Sequence, residues 1–283
     1  MASIKMLGTG HGFVFDMYNT CFLLQNNDDF LLVDTGGGTE IVRRLKQSSI
    51  ELKDIHNIFI SHCHTDHILG LMWILKRMSK MFGNEIYEGK LNIYCNSEVA
   101  EAIPSIYSHL FPKRRVEALA ERIDIHILTD GDKFKTAGLE FTAIDTKAKK
   151  NALLGFEVVL DNNKRLVFLG DEECNPEIYH KIENADYVMH EAFCLDSEEK
   201  IFKPYEHGHS TVKSVCEKMK KLNIKNLILY HTEETHRENR KELYINEGKQ
   251  YFSNNIIVPD EMEEFEIWQS RREGQFWKLE ILK

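Results

Sequence analysis

Three imidazoles and a carboxylate fall within six residues, His62-Cys63-His64-Thr65-Asp66-His67, directly after the apolar stretch 58–60. Such crowding is costly without a cation, because imidazole nitrogen and carboxylate oxygen are the usual protein ligands of first-row transition metals. A loop at a strand end can turn these side chains toward two adjacent ions. A lone histidine is most often structural, but this cluster reads as metal-binding, so the fold must bring a strand end to a metal centre.

The rest of the chain supplies strands and helices in two similar series. Residues 4–7, 21–25 and 30–33 read as a β-meander, the last two joined through Asn26-Asn27-Asp28-Asp29. A Gly36-Gly37-Gly38 turn leads to Ile41, Val42 and Leu45 at helical spacing, and 58–60 looks like a buried strand. A helix follows over 68–83 with Leu71, Leu75 and Met78 on one face, then a strand at 91–94 and a helix over 97–109. The charged stretch 112–121 carries no clear period. Strands at 123–128 and 139–144 flank Asp130-Gly131-Asp132, and a second series follows at 156–160, 165–169 and 187–190, with a helix over 210–222 and a strand at 227–230.

Strands followed by helix, twice over, predict an α/β (α+β) chain of two sheets packed face to face with helices outside, an αββα four-layer sandwich. Without linker-like tracts, residues 1–283 are expected to form one domain of two similar halves, about 1–135 and 136–283. The segment from Tyr244 onward, with Trp268 and Trp277, is expected to complete the second sheet.

Composition narrows the function classes. No apolar run approaches the roughly 20 residues of a membrane-spanning helix, and the start lacks signal-peptide features, so a cytoplasmic protein is expected. The six cysteines are scattered singly and read as buried free thiols. A net charge of −9 argues against a broad nucleic-acid surface, and the compact basic run Lys113, Arg114 and Arg115 reads as a solvated helix face more readily than as a phosphate clamp.

His62, His64, Asp66 and His67, with Gly70 behind them, resemble the H-x-H-x-D-H-x-x-G motif of the metallo-β-lactamase superfamily. Further motifs of that superfamily appear in order: Asp34 and Gly36 as D-x-G, Asp171 in Leu169-Gly170-Asp171, and His231 after the strand at 227–230. The resemblance implies that His62 and His64 hold one metal, that Asp66, His67 and His231 hold another, and that Asp171 bridges both. Asp34 would orient a ligand histidine. The family usually supplies a third histidine to the first metal from the loop after the strand at 139–144, where this chain has Asp145. Ligation by Asp145 is expected, an ordinary strand-end aspartate being the competing reading.

Within the superfamily the chain is most similar to the ribonuclease Z and phosphodiesterase branch. Leu7-Gly8-Thr9-Gly10 looks like its L-G-T-G opening, His190-Glu191-Ala192 matches three places of its H-E-A-T motif with Phe193 in the fourth, and His209-Ser210-Thr211 matches its H-S-T. By that resemblance Asp66, Glu191 and His209 are the expected catalytic residues. His209, held by Glu191, would protonate the leaving group. His11, His56, His109, His126, His180 and His236 lie outside any motif and are expected to be structural or surface residues, while His207 is ambiguous.

The implied protein carries two divalent metal ions, zinc first with manganese or iron as alternatives. It cleaves a small or cyclic nucleotide or another compact phosphodiester. The alternative is a tRNA 3′-processing endoribonuclease, although no Gly- and Pro-rich arm is evident and residues 72–128 read as helix and strand. A third reading is a degenerate metal-binding protein without turnover. A homodimer is expected from the frequency of two-fold assembly.

Overall fold

A computed structural model describes residues 2–160 and 163–267. The meander forms as expected from β1 (Ala2–Gly8), β2 (Cys21–Asn26) and β3 (Asp29–Val33), paired antiparallel. After α1 (Glu40–Gln47) the sheet continues in parallel through β4 (Asn57–Ile60), with α2 (Thr65–Gly83), β5 (Leu91–Cys95), α3 (Ser97–Leu110), α4 (Lys113–Arg122) and β6 (Ile123–Ile127) following in order. The start of α3 is fixed by Asn96, whose side chain accepts a hydrogen bond from the Val99 amide at 2.9 Å. The stretch 112–121 is helical because Leu119 is buried and Val116 packs beside it, while the charged residues face water. Residues 72–128 are therefore a packed layer and not an arm.

The second sheet begins with β7 (Lys133–Thr136), a strand the sequence hides because Phe134 is its only large apolar residue. Exposed Lys133 and Lys135 alternate with buried Phe134 and Thr136, so the period of two holds. Then come β8 (Leu139–Asp145), β9 (Leu154–Val159), β10 (Arg165–Phe168), α5 (Tyr179–Ile182), β11 (Tyr187–Glu191), α6 (Glu199–Phe202), α7 (Val212–Lys221), β12 (Asn226–Tyr230), α8 (Arg240–Tyr251) and β13 (Asn255–Ile257). The strand order is β13-β12-β11-β10-β9-β8-β7.

The expectation that the end of the chain completes the second sheet needs correction. Among the described residues only β13 joins it; β14 (Glu264–Glu266) crosses back and pairs antiparallel with β1, Ser3 opposite Glu266. Alternation explains why the charged stretch Glu264-Phe265-Glu266 can serve there, since Phe265 packs on the core and both glutamates point away. Trp268 and Trp277 lie outside the described residues.

Most strands are buried on both faces, which sets the four layers. Phe22, Leu24, Leu31, Val33 and Phe59 of the first sheet meet Phe134, Phe141, Phe156, Phe168 and Tyr230 of the second in a central core. The alternate residues Leu23, Leu32, Ile58, Ile60 and Ile93 pack outward under α1, α2 and α3. On the other side Val167, Val188, Leu227 and Leu229 pack under α7 and α8. The cysteines are all free thiols, buried except for the half-buried Cys63. Among the described residues no helix is long and apolar enough to cross a membrane.

Candidate dinuclear metal centre

The candidate residues gather where strands of both sheets end at their carboxyl sides, the usual place for a ligand in sheets with parallel strands. Asp34 follows β3, His62 follows β4, Asp171 comes three residues after β10, Glu191 ends β11 and His231 follows β12. Asp66 and His67 are in the first turn of α2, which begins earlier than its apolar period indicates. Asp34 and His231 have left-handed backbones, with φ of 55° and 56°, a sparsely populated conformation for residues other than glycine that concentrates at functional sites. Gly70 has its own reason: a Cβ there would lie 1.9 Å from the Thr35 carbonyl oxygen, so only glycine lets α2 approach the turn after Asp34.

Donor atoms fall into two groups that share one residue. Asp66, His67, Asp171 and His231 each offer an atom within 4.8 Å of the others, as do His62, His64 and Asp171. His67 Nε2 stands 3.1 Å from Asp66 Oδ2 and 3.2 Å from Asp171 Oδ2. His231 Nε2 is 3.5 Å from Asp171 Oδ2, and His62 Nε2 is 3.6 Å from Asp171 Oδ1.

The far side of each buried ring is fixed. His67 Nδ1 is 2.8 Å from Asp34 Oδ2, His62 Nδ1 is 3.0 Å from Ser61 Oγ, and His231 Nδ1 is 3.1 Å from Thr20 Oγ1. Asp34 accepts from both the amide and the hydroxyl of Ser61, so one carboxylate steadies two of the clustered histidines, directly and through a serine. Holding the outer nitrogen fixes the tautomer and aims the inner one. Ser61 and Thr20 escape sequence reasoning: Ser61 merely adjoins the cluster, and nothing near Thr20 marks it.

Electrostatics follow from burial. Burial holds His62 down to about 4 against the pull of Asp171, and His231 to about 3, so both rings are neutral near pH 7 with a lone pair free for a cation. Burial alone would raise the Asp171 carboxyl, but His62, His67 and His231 hold it well below the usual carboxylate range. His67 goes the other way: burial opposes its charge, yet Asp66, Asp171 and Asp34 together raise it well above an ordinary histidine.

Asp145 does not join the centre. Its Oδ1 accepts from the Lys147 amide at 2.9 Å and its Oδ2 pairs with Lys147 Nζ at 2.7 Å, because Lys147, at φ 57°, folds the chain back over its own strand end. From the same loop Asn151 reaches the cluster instead, its amide nitrogen 2.8 Å from His64 Nε2.

His209 sits beside the shared aspartate, its Nδ1 2.8 Å from the Asp171 backbone carbonyl and 4.0 Å from Glu191 Oε2. The expected histidine–carboxylate pair is thus looser than a hydrogen bond, and the carbonyl is the closer partner. Glu191 is 0% exposed, and burial raises its carboxyl to about 8. Phe193, the departure from H-E-A-T, stacks on His209 with centroids 5.1 Å apart and planes 6° from parallel. His11, set aside as motif-free, lies at the mouth, its ring centroid 4.7 Å from that of Phe193. The same loop exposes Phe13 at 85% and Phe15 at 88%, and a Cβ on Gly12 would come within 3.3 Å of Asp66. His207 is exposed, and Lys113 pairs across its own helix with Glu117 at 3.8 Å.

Comparison with known proteins agrees with this geometry. A ribonuclease Z from Archaeoglobus fulgidus is 26% identical over 281 residues, spanning 82% of this chain and 87% of its own length. The fold superposes on the metallo-β-lactamase fold protein YhfI from Bacillus subtilis with a TM-score of 0.73, at 18% identity over 93% of this chain and 98% of that one. The short form of human tRNase Z gives the same TM-score of 0.73 at 20% identity, over 94% of this chain and 100% of that one. The family model described as Anti-Pycsar protein Apyc1 matches residues 2–258. The chain is therefore a member of the Anti-Pycsar protein Apyc1 family, in the ribonuclease Z and phosphodiesterase branch of the metallo-β-lactamase superfamily of hydrolases.

Proposed function

We propose that this chain is a dinuclear metal-dependent phosphodiesterase that cleaves a small or cyclic nucleotide or a similar compact phosphodiester. The observation that carries this reading is the sharing of Asp171 between two donor groups. His62 Nε2, His67 Nε2 and Asp171 Oδ1 are buried and have no hydrogen-bond partner, an arrangement that suits cations and is costly otherwise. His62, His64 and Asp171 would hold one ion, and Asp66, His67, His231 and Asp171 the other. Imidazole nitrogens and carboxylate oxygens fit zinc, with manganese or iron as alternatives. Bound divalent ions supply Lewis acidity toward phosphoryl oxygens and a nucleophile at neutral pH.

The chain's own residues complete the chemistry. In the doubly protonated ring the Nδ1 proton stays directed at the Asp171 carbonyl, and the Nε2 proton is the one that passes to the leaving oxygen, returning His209 to a neutral imidazole. Phe193 fixes the plane of that ring, while Glu191, 4.0 Å from Nδ1, stands beyond hydrogen-bond reach. Phe13 and Phe15, exposed on the loop beside Asp66, offer faces on which a base can stack, a contact worth about 1–3 kcal/mol per base in single-strand binders.

A compact substrate is favoured because residues 72–128 pack into the fold, Lys113 of the basic run pairs within its own helix, and the chain carries a net charge of −9. The tRNA reading draws its support from relatives named ribonuclease Z. A two-fold homodimer and a cytoplasmic site of action belong to the same proposal and are checked by sedimentation and fractionation. The deciding test is hydrolysis of bis(p-nitrophenyl) phosphate, cyclic nucleotides and a tRNA precursor by the purified protein. Metal-dependent turnover of a cyclic nucleotide without precursor cleavage is expected. Cleavage of the precursor alone would establish the alternative, and no turnover after zinc, manganese or iron is supplied would leave a degenerate centre.

A further inference from the structure

His236 belongs to none of the recognised motifs, yet it takes part in a second donor cluster made entirely of other residues. Its Nε2 lies 2.6 Å from Oε1 of Glu198, and with Glu233 these residues bring one nitrogen and two carboxylate oxygens within 4.8 Å of one another. Glu233 is 2% exposed, and its Oε1 has no hydrogen-bond partner; Oε2 of Glu198 is likewise buried and unpartnered. Among the described residues neither carboxylate is paired with a lysine or arginine. Two carboxylates held close together, Glu233 buried and Glu198 partly so, with an imidazole as their common neighbour, repel each other unless a positive charge lies between them.

We propose that Glu198, Glu233 and His236 form a site for one divalent cation, separate from the Asp171 centre. The mixed nitrogen and oxygen set suits zinc or manganese. Ligands about 2.0–2.2 Å from one zinc ion stand roughly 3–4 Å apart, so only small side-chain movements would close the cluster on an ion. Its place in the fold gives the cation a structural task. Glu198 immediately precedes α6, while Glu233 and His236 lie between β12 and α8, two and five residues after His231. The Glu233 amide donates to the Phe193 carbonyl at 2.8 Å, and Phe193 stacks on His209. An ion here ties together the loops that carry His231 and Phe193.

The test is metal content by mass spectrometry on the full chain after equilibration with zinc or manganese, for the parent protein and for His236→Ala, Glu198→Gln and Asp171→Ala. The parent is expected to hold one equivalent more than either His236→Ala or Glu198→Gln, and Asp171→Ala to retain one equivalent. Added zinc or manganese should raise the melting temperature of Asp171→Ala, and should no longer do so once Glu198→Gln is combined with it. Glu198→Gln preserves the shape of the side chain and serves should His236→Ala fold poorly. A parent and a Glu198→Gln protein with equal metal content, and no thermal shift in Asp171→Ala, would overturn the proposal. One equivalent in the parent, lost in Glu198→Gln and kept in Asp171→Ala, would uphold this site while removing the dinuclear reading.

Discussion

Asp66, His67 and His231 are buried, and both of these histidines have their outer nitrogen fixed, by Asp34 and by Thr20. Across Asp171 the other half offers one buried histidine, His62, and one exposed histidine, His64, whose neighbour is the amide of Asn151. Preorganised, water-excluded donors need no rearrangement to take an ion, whereas an exposed ring on a loop loses side-chain freedom and competes with solvent. On the proposed dinuclear reading, the buried half would retain its ion and the exposed half would exchange its own and admit a substrate.

The largest expected effect erases the comparison: Asp171→Ala removes the residue common to both halves. It should lose two equivalents of metal and all detectable hydrolysis of bis(p-nitrophenyl) phosphate. Loss of a single equivalent, measured by mass spectrometry, would show that Asp171 serves one half only.

His209→Ala leaves both halves intact and should lower kcat by about 10²–10⁴-fold at unchanged metal content, the usual range for a lost acid or base. Steady-state kinetics check this, and an unchanged kcat would remove His209 from proton delivery.

Smaller effects separate the halves. Asp34→Asn should weaken the buried-half ion by about 10–100-fold, because His67 loses a charged partner, and the exposed half less, because Asp34 reaches His62 only through Ser61. Ser61→Ala removes the contact of His62 but leaves Asp34 its Ser61 amide and its hold on His67, so it should weaken the exposed half by about 10-fold, the lower end of that range, and the buried half less. Zinc titration against a chromophoric chelator resolves two affinities. Equal losses at both from either substitution would mean that the halves are one coupled unit.

The smallest expected effect is that of Asp145→Asn. Its carboxylate serves its own turn, so metal content should not change and stability should move by no more than about 0.5 kcal/mol, as for other surface sites. A lost equivalent of metal would return Asp145 to the exposed half as a ligand.

Residues close in sequence were the most readable. The run from His62 to His67 and the strand alternation of the central core are local patterns, and local patterns survive without tertiary context. Motif order likewise placed Asp171 and His231, which converge only because parallel strands end on the same side. What stayed hidden was set by partners distant in the chain. Thr20 holds His231 across 211 positions, β7 has one large apolar residue and depends on its neighbour for identity, and 112–121 becomes a helix through Leu119. Asp145 misled because sequence order fixes which loop a residue occupies but not which way its side chain turns. Asn151, six residues on, is the one that reaches His64.

The return of β14 to β1 bears on biosynthesis. Met6 exchanges backbone hydrogen bonds with Met262 and Glu263, and Glu261 pairs with Arg44 of α1 at 3.2 Å. The edge of β1 away from β2 is covered by β14, a closure across more than 250 residues that must await synthesis of β14. Until then β1 presents a bare edge of the kind that recruits other chains. Nascent protein stalled before residue 264 should therefore be the species most prone to aggregate and most dependent on chaperones, although its entire donor set would already have been synthesised.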